Sequence, residues 1–80
     1  MPYTLKQSDG SHTVIGTSTG NRQNEPDGSF WITGWSGATQ GAVHVGSFYT
    51  LVFLDGHSNS VEVKEVGGAG MGGIRFSLTG

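Results

Sequence analysis

The chain has 80 residues, 15 of them glycine and none cysteine, with a formal net charge of −2 and only 12% Lys, Arg, Asp and Glu. Such a length holds one domain without disulfide staples, and the composition excludes both a charge-rich disordered tail and an alanine- and leucine-rich helical bundle. Lys6, Arg22, Lys64 and Arg75 are the only fixed cations, too few to neutralise a run of phosphates, so nucleic acid is not an expected partner.

Apolar and polar residues alternate with a period of two, and no stretch of about eleven residues or more keeps an amphipathic helical pattern. The chain therefore reads as all-β: a single small antiparallel β-sandwich or barrel of six to eight strands. The first candidate strands are Tyr3–Gln7 and His12–Thr17. Next comes Gly20–Gly28, with no large apolar residue and with Pro26, Asp27 and Gly28 near its end, which predicts an exposed loop. Ser29–Thr33 is the next strand, then Trp35–Gln40 a weaker one and Ala42–Val45 another.

In the next candidate strand, Ser47–Leu54, the stretch Phe48–Leu54 is apolar at nearly every position, which predicts a central strand or a subunit contact with both faces covered. Left on an edge, the same stretch is an aggregation hazard. It is also the longest apolar stretch, interrupted by Thr50 and far short of the roughly 20 residues that cross a bilayer, so no membrane span is expected. Asp55–Asn59 has hairpin-turn chemistry and links it to Ser60–Val66. Gly67–Gly73 is glycine-dense and precedes a last strand, Ile74–Thr79. The alternation assigns a core of Leu5, Val14, Ile15, Phe30, Ile32, Val43, Val45, Leu51, Val52, Phe53, Val61, Val63, Ile74, Phe76 and Leu78.

Several fragments imitate catalytic motifs. Gly68, Gly70 and Gly73 satisfy G-x-G-x-x-G, but a dinucleotide site needs a helix after the motif, and the residues after Gly73 read as a strand. Gly16-Thr17-Ser18-Thr19-Gly20 matches G-x-S-x-G, yet the strand-to-helix elbow that activates such a serine belongs to a far larger fold. Asp55, His57 and Ser58 have the side-chain types of a hydrolytic triad, but triad partners converge from separate elements, and neighbours on a turn are expected to point apart. His12, His44 and His57 lack metal-ligand spacing. The carboxylates Asp9, Glu25, Asp27, Asp55, Glu62 and Glu65 are scattered over loops and an outer strand face. No enzyme, metal site or cofactor is expected.

The remaining candidate surface lies around Phe30-Trp31-Ile32-Thr33-Gly34-Trp35. With Phe30 and Ile32 inward, Trp31 points outward. Together with Trp35, Tyr49 and the loop residues Asn21, Arg22, Gln23 and Asn24, it forms the expected ligand-binding set. The bland alternative has Trp31 against a second sheet and Trp35 over a barrel end. The expected function is a non-catalytic binding or assembly module, homo-oligomeric because a chain this small and glycine-rich gains from extra buried surface. It would contact a protein partner or other subunits through its aromatics and loops. The alternatives are a carbohydrate or small-molecule binder using Trp31 and Trp35, and a small virus-encoded structural or inhibitor protein. The N-terminal residues show no basic start leading into an apolar block, so no secretory signal is expected, and a cytoplasmic or virion-associated setting fits.

Overall fold

Period-two alternation produces strands along most of the chain. In the computed structural model, which describes residues 2–36, 39–68 and 72–79, they are β1 (Tyr3–Gln7), β2 (Val14–Ser18), β3 (Arg22–Asn24), β4 (Phe30–Ile32), β5 (Phe48–Val52), β6 (Ser58–Gly68) and β7 (Gly73–Leu78), with a single helical turn, α1 (Thr39–Ala42), before β5. The fold is all-β and antiparallel, and its seven strands form one sheet in the order β2-β1-β5-β6-β7-β4-β3.

The two outermost strands, β2 and β3, are consecutive in the chain, separated only by Thr19, Gly20 and Asn21. At ~3.8 Å per Cα step this link spans at most about 15 Å, whereas the edges of a flat seven-stranded sheet would stand about 29 Å apart. The sheet must roll. The β2 edge meets the chain that follows β4: the Ser36 N–H donates to the Thr17 carbonyl at 2.9 Å, and the Ser18 hydroxyl donates to the Thr33 carbonyl. Ser18 and Trp35 form an isolated bridge. The roll stops short of a closed barrel, because β2 and β3 remain the ends of a linear strand order.

Rolling gives the sheet one dry interior. Tyr3, Leu5, Phe30, Ile32, Val43, Tyr49, Leu51, Phe53, Val61, Val63, Ile74 and Phe76 are buried there. A run of touching aromatic rings crosses it, from Tyr3 to Phe53 (6.3 Å between centroids), Phe30 (6.0 Å), Phe76 (5.9 Å) and Trp35 (5.9 Å). Phe53 lies just past the end of β5 and Phe30 lies on β4, strands that are not neighbours in the sheet, so this contact is made across the roll.

Several sequence expectations are corrected. Ala42–Val45 is not a strand: Ala42 ends α1, and a turn with Gly46 at φ 87° comes after it. Val43 is buried but Val45 is 63% exposed. Trp35–Gln40 contributes only the bridge at Trp35, residues 37 and 38 lie outside the described set, and Thr39 and Gln40 begin α1. Val14 is exposed because the register slips between Leu5 and Lys6 and pairs Lys6 with Val14, leaving Ile15 to pack on the core. Val52 is only half-buried, on the outer face.

Leu78 is exposed because β4 ends opposite Phe76 and nothing extends over it. β5 is a central strand as expected, but only Tyr49 and Leu51, with Phe53 beyond it, are buried. Phe48 is 54% exposed, since among the described residues no second layer covers the outside of the rolled sheet. Within the expected loop Gly20–Gly28, residues 22–24 pair with β4 as β3, though all three side chains are exposed. The glycine-rich segment caps the β6–β7 hairpin, where Gly68 pairs with Gly73. Residues 69–71, and with them the middle of the G-x-G-x-x-G match, lie outside the described residues, and Gly73 opens a strand, β7, rather than a helix.

Candidate functional site

Phe30 and Ile32 face the core, so strand alternation turns Trp31 to the outer face. The antiparallel registers place Gln23, Trp31, Arg75 and Glu65 side by side across β3, β4, β7 and β6. The β3–β4 hairpin brings a second group over the end of this row. Its turn, Glu25-Pro26-Asp27-Gly28, closes with the Gly28 N–H on the Glu25 carbonyl at 3.2 Å and the Glu25 N–H on the Ser29 carbonyl at 2.8 Å. Proline presets the first turn position, and Gly28, at φ 92°, takes the left-handed geometry that the hairpin requires. Glu25, Pro26, Asp27, Trp31, Glu65 and Arg75 together line an open depression of about 420 Å³.

Arg75 organises the site. Its guanidinium carbon lies 5.9 Å from the centre of the Trp31 ring, within cation–π range. Its Nη1 donates to the Ser29 hydroxyl at 3.3 Å and stands 3.6 Å from Asp27, while Nη2 is 3.4 Å from Glu65. Trp31 retains only 9% of its surface, and its indole N–H has no hydrogen-bond partner among the described residues. No buried side-chain polar atom there lacks a partner, so this N–H lies where solvent reaches it. Three carboxylates face one guanidinium in the depression, and Glu25 forms no ion pair among the described residues.

The Asp27 turn recurs twice. In Asp9-Gly10-Ser11, Asp27-Gly28-Ser29 and Asp55-Gly56-His57, the aspartate accepts from the backbone N–H two residues on, at 2.9, 2.9 and 3.1 Å. It also accepts from the side chain of that residue, and each glycine sits near φ +90°. These bonds hold all three carboxyls below the usual range. The Ser29 hydroxyl and then its N–H act on Asp27, and the Ser11 hydroxyl and N–H act on Asp9. The His57 N–H and then its ring act on Asp55.

Since the folded value is the lower one, each group supports the fold above its unfolded value near 3.9 and loses that support as pH falls through the folded value. Carboxyl NMR titration should therefore place Asp27 below about 3.9 in the native protein and nearer that value in Ser29→Ala. An Asp27 midpoint unmoved by the substitution would contradict the assignment.

The other residues expected to bind ligand are dispersed. Trp35 is half-buried against Phe76 and donates its indole N–H to the Ile32 carbonyl at 2.9 Å. Tyr49 is in the core, its hydroxyl accepting from the His44 N–H at 3.0 Å. Arg22 turns to one end of the roll, with its guanidinium carbon 4.3 Å from the centre of Phe30 and 5.6 Å from that of Phe53. Its Nε donates to Asn24 at 2.9 Å. Asn21 is exposed in the seam, and Gln23 alone of the loop residues shares the Trp31 row.

Two motif fragments also find places. Ser18 is buried, its hydroxyl donating to Thr33 and accepting from the Gly20 N–H at 3.0 Å, as a clasp of the seam. Asp55 and His57 do not point apart: the His57 Nδ1 meets Asp55, and the exposed ring stacks on Phe53 at 4.5 Å.

No protein-family model matches the chain, and no curated protein or solved structure matches it significantly.

Proposed function

We propose that this protein is a non-catalytic binding module whose ligand seats in the depression floored by Trp31. The observation that carries this reading is an open concavity floored by the nine-tenths buried Trp31 and walled by the ion-pair network of Arg75. Binding sites of this kind combine an apolar floor with a few oriented polar groups, and the volume lies in the range of small-ligand sites. The groups that imitate catalytic machinery are engaged elsewhere: the Ser18 hydroxyl holds the seam, and the Asp55–His57 pair is part of a hairpin turn. A flat ligand does not meet a bare indole face, because Arg75 already lies over the ring. The ligand instead meets the ring edge and the polar wall.

The two tryptophans supply the test. In nitrogen-edited NMR spectra, a ligand from a glycan or peptide library is expected to shift the Trp31 indole N–H and leave that of Trp35, tied to Ile32, in place. Trp31→Phe should remove the response. Ligands that act only on the opposite face, or turnover of an ester, glycoside or nucleotide panel, would overturn the proposal. Light scattering over a range of protein concentrations identifies whether the species that binds is monomeric or self-associated.

A further inference from the structure

Independently of the ligand site, we infer that Asp9–Gly10 is a site of spontaneous backbone modification: of the three Asp-Gly links in the chain, it is the one that the folded protein leaves free to rearrange to isoaspartate through a cyclic imide.

The chemistry needs only the chain and water. The Gly10 amide nitrogen bonds to the Asp9 side-chain carboxyl carbon, and the carboxyl hydroxyl leaves as water with the amide proton. Water then adds to either carbonyl of the imide. Opening at the side-chain carbonyl restores aspartate. Opening at the backbone carbonyl leaves the main chain running through the Asp9 Cβ and Cγ, with the former backbone carbonyl as the free carboxylate. Glycine suits the step at all three links, because it carries no Cβ to crowd its nitrogen.

All three carboxyls accept from the residue two positions on, so the difference lies in the glycine nitrogen and the chain around it. The Gly28 N–H donates to the Glu25 carbonyl at 3.2 Å and the Gly56 N–H to the Phe53 carbonyl at 3.0 Å, whereas among the described residues the Gly10 N–H donates to nothing. Those two turns are also clamped across the mouth, by the Glu25 N–H on the Ser29 carbonyl and the Phe53 N–H on the His57 carbonyl, each at 2.8 Å. Reaching the imide there means opening the hairpin that pairs β3 with β4 or β5 with β6. Asp9 lies instead in a connection whose residues, from Ser8 to Thr13, are all exposed, and such segments open at little cost. The carboxyls differ too. The Arg75 charge beside Asp27 favours the ionised form over the neutral one from which the hydroxyl departs, while Asp9 forms no ion pair among the described residues.

To test this, the folded protein is held in heavy-oxygen water at neutral pH and digested in ordinary water, and the label is located by fragmentation. Each passage through the imide fixes a heavy oxygen at that aspartate. Label and isoaspartate should appear at Asp9 about tenfold faster than at Asp27 or Asp55, the factor set by the one or two backbone hydrogen bonds that must break at the other links. In guanidinium chloride the three rates should converge to within about twofold, since the unfolded chain lacks those bonds. Asp9→Glu, which would have to close a larger ring, should remove the label there and leave Asp27 and Asp55 unchanged. Equal rates at the three links of the folded protein, or a faster one at Asp27 or Asp55, would overturn the inference. So would a tenfold preference for Asp9 that persists in denaturant, because it would then belong to the local sequence and not to the fold.

Discussion

Phe76→Ala is expected to be the most damaging single truncation, costing about 3–5 kcal/mol, the usual result of cutting a buried phenylalanine to alanine. Phe76 is fully buried and touches the rings of Phe30 and Trp35. Its strand partners are Val63 on one side and Phe30 on the other. Removing it separates Trp35 from the aromatic run and strips Phe30 of its neighbouring ring on β7, and the neighbours are too constrained by the sheet to fill the space. A domain of this length has a total stability of about 4–12 kcal/mol. Since each kcal/mol moves the midpoint of a small domain by about 4–8 °C, thermal denaturation monitored by circular dichroism should show a fall of at least about 12 °C, or no cooperative transition. Phe76→Leu, which keeps most of the volume, should cost less than about 1.5 kcal/mol. A loss of only a few degrees for Phe76→Ala would mean that the interior repacks around the missing ring.

Gly20→Val acts on the seam. A Cβ at Gly20 would overlap the Thr33 carbonyl oxygen, lie 2.6 Å from the carbonyl carbon and stand 3.1 Å from the Gly34 Cα. These are backbone atoms, so no rotamer change relieves the overlap. The chain must move apart or strain, at a cost of about 1–3 kcal/mol for overpacking. Hydrogen exchange separates this from general loosening. The amides of Thr33 and Ser36, which donate to Asn21 and Thr17, and the Trp35 indole should lose protection first. The Val63 amide, which donates to Ser47 at 3.0 Å, should stay slow. Thr19→Ala, one residue away and exposed, should change stability by no more than about 0.5 kcal/mol. Unchanged protection at Thr33 and Ser36 in Gly20→Val would show that the edges are not held at this point.

Much of the fold was legible because strand alternation is a local signal. Val61 and Val63 face inward while Glu62 and Lys64 face outward. Ile74 and Phe76 bracket an outward Arg75, and Trp31 lies outside between Phe30 and Ile32. The hairpin at Asp55 was legible for a similar reason, since aspartate and glycine supply the turn geometry themselves. β3 was hidden: an edge strand with three exposed polar side chains has no apolar face to announce it. Val14 misled because alternation assumes a constant register and the slip opposite Leu5 is set by the partner strand.

The site was legible only at Trp31. Arg75 and Glu65 reach it through the pairing of β4 with β7 and of β7 with β6. The pairing of β4 with β7 joins residues more than half the chain apart, and nothing in either segment names the other. Pro26 and Asp27 signal only a turn in the sequence. Because that turn closes the hairpin leading into β4, it also places a carboxylate beside the outward indole.

The strand order bears on how the native state is reached. Four of the six pairings join consecutive strands by short connections, while β1–β5 and β4–β7 each bring together residues more than 40 positions apart. The hairpins can assemble on their own within about 1–10 μs. Neither distant pairing gains from burial until its long loop has closed. Barrier crossing should accordingly wait on those two encounters, giving millisecond-to-second kinetics of the kind seen in all-β domains. Substitutions at Leu5 or Ile32, which sit at the distant pairings, should slow refolding more than equally disruptive changes inside a hairpin.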